Sequence, residues 1–245
     1  MNTDTAQRPA IKTKSSPSLT FCLQPIIDIK TLKTHALELL TRVKLQSGEC
    51  LNSEPFFANL NEVSLQTIIR DQITALNEQA DIYNSANLTI SINIPMRYFV
   101  QPKYMEEVIN MARFPLAIEV TEIDTFTGQH LQFWDSAALL KEHGYQIWLD
   151  DYLPSPVNDL VLNLIRWDAI KIDQRFLYSN IDKPDAMKAL LETVILHCKD
   201  IVTEGIETSY MHCQLKAYDI YAQGFYYARP LDMDMSFTNY ALRNQ

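Results

Sequence analysis

Glycine is scarce in this chain, and its scarcity excludes several classes of nucleotide-binding site. The sequence of 245 residues contains five glycines: Gly48, Gly128, Gly144, Gly205 and Gly224. No two of them are spaced to form a Walker loop, a GxGxxG dinucleotide turn or a GxSxG nucleophile elbow. Folds that hold phosphates in glycine-rich cradles are therefore excluded.

Positive charge is also in short supply. Lys and Arg number 21 against 30 Asp and Glu, which gives a formal net charge of -9. Duplex nucleic acid and anionic membranes are bound through clusters of Lys and Arg, so neither is predicted as a partner. A phosphate ligand would have to be held by local cations or by metal ions, which favours a small anionic ligand over a polymer.

The chain lacks regularly spaced cysteines and long apolar runs. Its four cysteines show no CxxC spacing, which favours reduced thiols over a disulfide framework. The pairs His197-Cys198 and His212-Cys213 do not have the usual ligand spacing of a zinc site. No run approaches the roughly 18 apolar residues of a membrane span, and the N-terminus has no apolar signal segment. We therefore predict a cytoplasmic protein without a membrane segment.

Short apolar runs alternate with helical patterns along most of the chain. Residues 1–18 are rich in Thr, Ser, Lys and Pro and predict a flexible leader, whereas residues 19–245 predict one globular domain. Helical faces recur at 65–76 and 187–195. Strands are predicted at 21–29, 35–40, 88–93, 116–120, 146–149, 169–172, 201–203 and 220–223. This order and length predict an α/β fold with a mostly parallel sheet, consistent with a (β/α)₈ barrel of the TIM type.

Polar residues end six of these apolar runs: Asn93, Glu119, Asp150, Lys171, Glu204 and Gln223. Between 19 and 33 residues separate consecutive members, which leaves room for a loop, a helix and the next strand. In a barrel, strand ends of this kind meet at one rim, where the chemistry of TIM barrels is found.

The acids among these residues suit divalent metal ions. An acid at a strand end is, taken alone, more often solvated or a helix cap. Together at one rim, Glu38, Glu119, Asp150, Asp151 and Glu204 would repel one another and raise each other's pKa unless cations intervened. Carboxylates with the amide oxygen of Asn93 suit Mg²⁺ or Mn²⁺, and two such ions can hold a phosphodiester and activate water. Lys171 would either place a positive charge beside that water or form a salt bridge with the acids.

At these positions the sequence resembles the EAL domain family, the cyclic di-GMP phosphodiesterases. Residues 23–28 (LQPIID) are similar to the family's opening YQPIVD, and residues 38–42 (ELLTR) are similar to its naming motif. Further blocks match in order: Ser91-Ile92-Asn93, Glu119-Val120-Thr121-Glu122, Asp150-Asp151-Tyr152, Lys171-Ile172-Asp173, Glu204-Gly205-Ile206-Glu207-Thr208 and Gln223-Gly224-Phe225-Tyr226. The resemblance covers residue 19 to about residue 231.

The resemblance implies a TIM-like (β/α)₈ barrel with one antiparallel strand near the start. It also implies a bacterial signalling enzyme that opens cyclic di-GMP to linear pGpG, and a tendency to form homodimers. Metal ligands would be Glu38, Asn93, Glu119, Asp150, Asp151 and Glu204, with Asp150 bridging the two ions. Glu38, Glu122 and Lys171 would form the catalytic group, in which Lys171 positions the hydrolytic water. Substrate would be contacted by Gln24, Arg42, Glu207 and Gln223.

One loop departs from the family pattern. Where the family commonly has DDFGTGYSSL, residues 150–159 read DDYLPSPVND, so both glycines are missing. Leu153 and Pro154 disfavour the conformations that glycine permits, which predicts that Asp151 turns away from the second metal. Glu122 resembles the family residue that braces this loop.

Three hypotheses follow from these observations. The first is a cyclic-guanylate-specific phosphodiesterase. The second is a catalytically inactive EAL module that binds cyclic di-GMP or a protein partner as a regulator. The third is a barrel enzyme acting on another phosphoester.

Overall fold

The computed structural model describes residues 17–45 and 47–233, and its centre is a closed barrel of eight strands. The barrel strands are β1 (Ser18–Asp28), β2 (Thr34–Lys44), β4 (Thr89–Pro95), β5 (Leu116–Thr121), β6 (Gln146–Tyr152), β7 (Trp167–Ile172), β8 (Cys198–Thr203) and β9 (Tyr221–Ala222). Each of the eight predicted strands falls on one of them. The predicted TIM-like barrel is thus confirmed, with strand ends that differ by a few residues.

One strand runs against the others. β1 pairs antiparallel with both β2 and β9, whereas every other neighbouring pair in the barrel is parallel. The antiparallel strand near the start, which the family resemblance implied, is therefore present. Two short strands lie outside the barrel and were not predicted: β3 (Cys50–Leu51) pairs with β2, and β10 (Leu231–Asp232) pairs with β1.

Helices surround the barrel. They are α1 (Ser53–Ala58), α2 (Glu62–Asn77), α3 (Ala80–Ala86), α4 (Met96–Phe99), α5 (Pro102–Met111), α6 (His130–Glu142), α7 (Pro156–Leu162), α8 (Gln174–Asn180), α9 (Pro184–Val194) and α10 (Ser209–Leu215). The predicted helical faces are buried at Leu65 to Leu76 in α2 and at Met187 to Val194 in α9, whereas Ile195, predicted as part of the second face, follows α9 and is exposed. No helix in the described part of the chain has the length and apolar character needed to cross a membrane.

The barrel interior is built in two layers. One is apolar and packs as a single cluster: Ile26, Ala36, Ala117, Trp148, Ala169 and Val202, with Tyr221 against it. Two residues along each of these strands, toward the barrel mouth, stand polar residues: Gln24, Glu38, Glu119, Asp150, Lys171, Glu204 and Gln223. Since side chains alternate between the two faces of a strand, the polar residues follow the apolar ones on the same inner face. The fold therefore places the charged side chains directly above the closely packed apolar layer.

The ends of the predicted regions lie partly outside the described residues. Of the predicted leader, 1–18, residues 1–16 are outside them, and β1 begins at Ser18. The predicted domain, 19–245, is described as far as residue 233, with the exception of residue 46.

Candidate active site at the barrel mouth

Lys171 lies at the centre of the polar layer, among four carboxylates that are carried by β2, β5 and β6 and by the residue directly after β8. Its Nζ atom is 2.7 Å from Glu119 Oε2, 2.8 Å from Glu204 Oε1, 3.0 Å from Asp150 Oδ1 and 3.2 Å from Glu38 Oε2. Lys171 is 1% exposed, so its charge is compensated by these acids and hardly at all by solvent. The salt-bridge role considered for Lys171 is therefore present in the structure.

Amide side chains hold Glu38 in place on the other side. Asn93 Nδ2 donates to Glu38 Oε1 at 3.0 Å, and Gln223 Nε2 donates to Glu38 Oε2 at 2.7 Å. The same Gln223 group also donates to Gln24 Oε1 at 3.2 Å, and Gln24 donates to the carbonyl of Ala228. Glu38 is thus fixed by donors from β4, β7 and the segment after β9.

Burial and mutual repulsion shift the pKa values of these groups apart. Burial raises the pKa of Glu119 well above its usual range, and it raises the pKa of Glu204 to about 8. For Asp151 the negative charge of Asp150 is the main cause, and the pKa rises to about 7. Burial opposes the ionisation of Glu38, yet Lys171 and the two amide donors hold the pKa of that carboxyl below its ordinary value.

Lys171 remains an ammonium in this surrounding. Burial alone would lower its pKa, but the carboxylates of Asp150, Glu119, Glu204 and Glu38 raise it well above its usual value. It can therefore donate hydrogen bonds to an oxygen atom, and it cannot serve as a base at neutral pH.

A β-bulge brings two consecutive acids to the same place. In the pairing of β6 with β7, Leu149 faces Ile170 and Tyr152 faces Ile172, so β6 contains one extra residue at this point. Asp151 takes a left-handed backbone conformation, with φ of 50°. In a regular strand Asp150 and Asp151 would point to opposite faces. Here oxygen atoms of Asp150, Asp151 and Glu204 all lie within 4.8 Å of one another, and the prediction that Asp151 turns away is wrong.

The loop after these acids is ordered by its own hydrogen bonds. Ser155 caps α7 by accepting from the Asn158 amide, and Asn158 Nδ2 donates to the carbonyl of Leu153 at 2.7 Å. Tyr152 donates its hydroxyl to Asp159 at 2.8 Å. These contacts explain how the segment keeps Asp151 at the mouth without the glycines of the family pattern.

The loops after β8 and β9 cross at very short range. A Cβ on Gly224 would lie 2.1 Å from the carbonyl oxygen of Ile206, so only glycine fits there. The crossing is tied by hydrogen bonds from Ile206 N to Gln223 O and from Tyr226 N to Ile206 O. It positions Glu204 and Gln223 beside each other at the rim.

The residues present fit a divalent cation. Glu119 Oε1 is buried without a hydrogen-bond partner, and the donor set consists of oxygen atoms. Among the described residues, the group of three or more acids, histidines or cysteines close enough to hold an ion is Asp150, Asp151 and Glu204. The two His-Cys pairs contribute to no such group within residues 17–45 and 47–233.

A cavity of about 780 Å³ opens above the polar layer. Every predicted site residue lines it except Glu119, which is fully buried beneath. Its volume lies in the range of small-molecule sites, roughly 300 to 1,000 Å³.

Arg42 and Glu122, at the edge of the cavity, already have charged partners. Arg42 Nη1 lies 2.8 Å from Asp232 Oδ1, and its Nη2 donates to the carbonyl of Pro230. The carboxylate of Glu122 accepts a hydrogen bond from Arg97 of α4. That Glu122 braces the loop after Asp151 stays a prediction.

Sequence reasoning missed two residues of this cavity region. Asp232 belongs to the short strand β10, and no pattern in the sequence connects it with Arg42. Gln72 lines the cavity from α2, and one signal could have revealed it: a polar residue within the apolar stripe of a helix.

Comparisons with known proteins agree on one family. The family model described as EAL domain matches residues 6–230. The chain is 25% identical over 213 residues to the cyclic di-GMP phosphodiesterase PdeH of Escherichia coli (strain K12), an alignment that covers 81% of this chain and 79% of PdeH.

Solved structures show the same fold. The EAL domain protein from Listeria monocytogenes EGD-e superposes with a TM-score of 0.77 at 24% identity, covering 92% of this chain and 93% of that one. The EAL enzyme Bd1971, in its cAMP and cyclic-di-GMP bound form, gives a TM-score of 0.73 at 19% identity. That match covers 91% of this chain and 64% of Bd1971, so the chain spans less than two thirds of that protein.

Proposed function

The chain belongs to the EAL domain family, and on that basis we propose that it is a metal-dependent phosphodiesterase that hydrolyses cyclic di-GMP to linear pGpG. The observation that carries the proposal is the convergence of four carboxylates on Lys171 at the base of a cavity of about 780 Å³. PdeH, one of the relatives in Escherichia coli, is named a cyclic di-GMP phosphodiesterase.

The acids would hold Mg²⁺ or Mn²⁺. Asp150, Asp151 and Glu204 form one candidate set, and Glu38, Asn93 and Glu119 with Asp150 form the second. Bound there, the ions would polarise the phosphodiester and lower the pKa of a water molecule. The buried, unpartnered oxygen of Glu119 supports this assignment, because a buried carboxylate oxygen without a partner is costly.

The chain's own side chains would do the remaining work. The ammonium of Lys171 would donate to the hydrolytic water or to a phosphate oxygen, and so fix its direction of attack. Arg42 would hold a phosphate through its planar fork, in exchange for its present partner Asp232. Gln24 and Gln223 would keep Glu38 oriented through the hydrogen bonds already formed.

A homodimer and a cytoplasmic location are further parts of the proposal. Large apolar side chains are exposed on α6 (Leu131 and Trp134) and on α7 (Val157 and Leu160), and a second copy of the chain could cover them. The four cysteines are free thiols, as in proteins of a reducing compartment.

A regulator without catalysis is the second candidate, and the loop after Asp151 favours it. This loop is stiffened by Pro154, by Pro156 and by the cap at Ser155, while Asp151 keeps a backbone conformation that non-glycine residues rarely adopt. Such a module would bind cyclic di-GMP or a protein partner and leave the phosphodiester intact.

One assay separates the two candidates. Purified protein is incubated with cyclic di-GMP and Mg²⁺ or Mn²⁺, and pGpG is measured by chromatography. We expect turnover that Glu119→Gln lowers by roughly 100-fold or more, because a buried metal ligand is lost without a change of shape. Glu192→Gln, on the exposed face of α9, is the matched control and should behave as wild type.

The outcomes are distinct. Tight binding of cyclic di-GMP without pGpG would support the regulator. No binding at all would point to a protein partner and overturn the phosphodiesterase proposal.

A further inference from the structure

Arg42 stands on the inner face of β2, further toward the open end of the cavity than the acids. It follows Glu38 by four residues, and the pairing of β2 with β1 is regular between these positions, so both side chains point to the same face. Four residues of a strand correspond to roughly 13 Å. Arg42 lines the cavity, and its side chain is 33% exposed. A ligand that extends from the acids toward the opening can therefore meet the guanidinium group.

β10 brings Asp232 to the same wall of the cavity. Cys22 and Asp232 are directly opposite in the antiparallel pairing of β1 with β10, and opposite residues place their side chains on one face. Cys22 precedes Gln24 by two residues, so this face is the inner one. Arg42 Nη1 lies 2.8 Å from Asp232 Oδ1, and its Nη2 donates to the carbonyl of Pro230 at 3.3 Å. Both terminal nitrogens of the guanidinium group are thus held by the chain itself.

The carboxylate of Asp232 has the contacts that a bound anion would make. Besides Arg42, it accepts a hydrogen bond at 3.2 Å from the Sγ of Cys22. Burial, and next the hydrogen bond to Asp232, raise the pKa of the Cys22 thiol to about 11, so this group stays protonated and remains a donor at neutral pH. One charged donor and one neutral donor therefore converge on a carboxylate that stands where a phosphate oxygen would be bound.

The pair of Arg42 and Asp232 is exposed enough to be exchanged. The two side chains are 33% and 44% exposed, whereas the pair of Lys171 and Glu119 is fully enclosed. Ion pairs in contact with water contribute little to stability, so a ligand anion can replace Asp232 without disturbing the fold. The released carboxylate would still lie near the bound anion, and the two like charges would repel each other.

We propose that Asp232 is an internal competitor for Arg42 and thereby weakens the binding of a substrate phosphate, an inference that rests on the proposed function. Each of the two phosphodiester groups of cyclic di-GMP carries one negative charge. When one of them lies at the acids, the other must displace Asp232 to reach Arg42. Asp232 therefore raises the KM for the substrate and does not affect the chemical step.

The test compares Asp232→Asn with wild type. Asparagine keeps the shape of the side chain and removes its charge. Affinity for cyclic di-GMP is measured by calorimetry with Ca²⁺ in place of Mg²⁺. We expect binding about fivefold tighter than in wild type, and in Mg²⁺ a KM lower by a similar factor with kcat within about twofold. A damaged fold would not produce a gain in affinity, so the expected result is distinct from a structural effect.

Three further variants identify the cause of the gain. Asp219→Asn removes the same charge from an exposed pair with Lys30 at the opposite end of the barrel, and it should bind as wild type does. Asp232→Glu keeps the charge and should also bind as wild type does. In an Arg42→Gln background, the change of Asp232 to Asn should alter affinity by less than about twofold, because the group for which Asp232 competes is missing.

Unchanged binding by Asp232→Asn would overturn the inference and leave the proposed function intact. Weaker binding would overturn it as well, since Asp232 would then hold Arg42 in the orientation that the ligand needs. A fivefold gain that persists without Arg42, or that appears in Asp219→Asn, would also contradict it, because overall charge would be the cause. Wild-type protein that binds no cyclic di-GMP would overturn both proposals together.

Discussion

The two inner layers of the barrel lie on the same strands but have opposite chemical character: one is apolar and the other is charged. The lower layer contains Ala36, Ala117 and Ala169 packed with larger apolar residues, and two residues further along the same strands stand Glu38, Glu119 and Lys171. These named residues of both layers are almost completely buried. Burial of the lower layer stabilises the folded state, whereas burial of the upper layer destabilises it unless the charged groups have partners.

This difference separates the layer that stabilises the fold from the layer in which we propose that the function is located. The apolar layer needs nothing beyond the chain itself. In the polar layer one ammonium faces four carboxylates, and negative charge is left in excess. The apolar layer therefore stabilises the barrel, while the polar layer keeps uncompensated negative charge. This arrangement is expected of a site that receives cations.

The largest effect should come from removing the central ammonium. Lys171→Met leaves four buried acids without their common partner and should lower the free energy of unfolding by about 3 to 5 kcal/mol in metal-free buffer at pH 8. Chemical denaturation with EDTA present measures it. Lys188→Met, which removes the exposed partner of Glu192, should change stability by less than about 0.5 kcal/mol. Equal stability of the two variants would show that Lys171 does not hold the acids together.

A change of pH should have a smaller effect on the free energy of unfolding, spread over several pH units. The pKa of Glu204 is raised to about 8 and that of Asp151 to about 7, so the folded chain binds more protons than the unfolded chain from about pH 4.5 to 8. The free energy of unfolding of metal-free protein should therefore fall as pH rises through this window, by an amount on the order of a few kcal/mol.

Added metal should reverse that trend, since cations bind the ionised acids. Thermal unfolding at pH 5.5, 7 and 8, with EDTA and with Mg²⁺, measures both effects. Stabilisation by Mg²⁺ that does not grow with pH would contradict the assignment of the acids as ligands.

The smallest effect belongs to the apolar layer. Ile26→Val removes one buried methylene group and should cost about 1 kcal/mol of unfolding free energy, with the rate of pGpG formation and the metal affinity unchanged. Denaturation and the turnover assay on the same sample provide the comparison. A fall in metal affinity would mean that the two layers are mechanically coupled.

Much of this organisation could be predicted from residue patterns. Apolar runs that end in Glu119, Lys171 or Glu204 indicate both a strand and the polar side chain at its end, because burial and side-chain alternation act locally. The order of strands and helices then indicates a barrel whose strand ends share one rim. The antiparallel direction of β1 was available only from the family resemblance.

Other features depend on contacts that local patterns do not contain. The partnership of Arg42 with Asp232 arises because β10 pairs with β1, across more than 200 residues of chain from Cys22 to Asp232. The missing glycines in the loop after Asp151 predicted that the Asp151 carboxylate would be displaced from the site. The loop is instead held by the Ser155 cap and by the hydrogen bond that the Asn158 side chain donates.

Because β6 contains one extra residue, the number of acids at the rim depends on the length of this strand as well as on which residues it contains. A deletion of one residue at this point would keep the same barrel, yet it would return either Asp150 or Asp151 to the outer face. Sequences that share every acid with this chain can therefore differ in how many of them reach the mouth. Relatives are best compared by the spacing between Leu149 and Tyr152, set against that between Ile170 and Ile172, before they are compared by the residues they have in common.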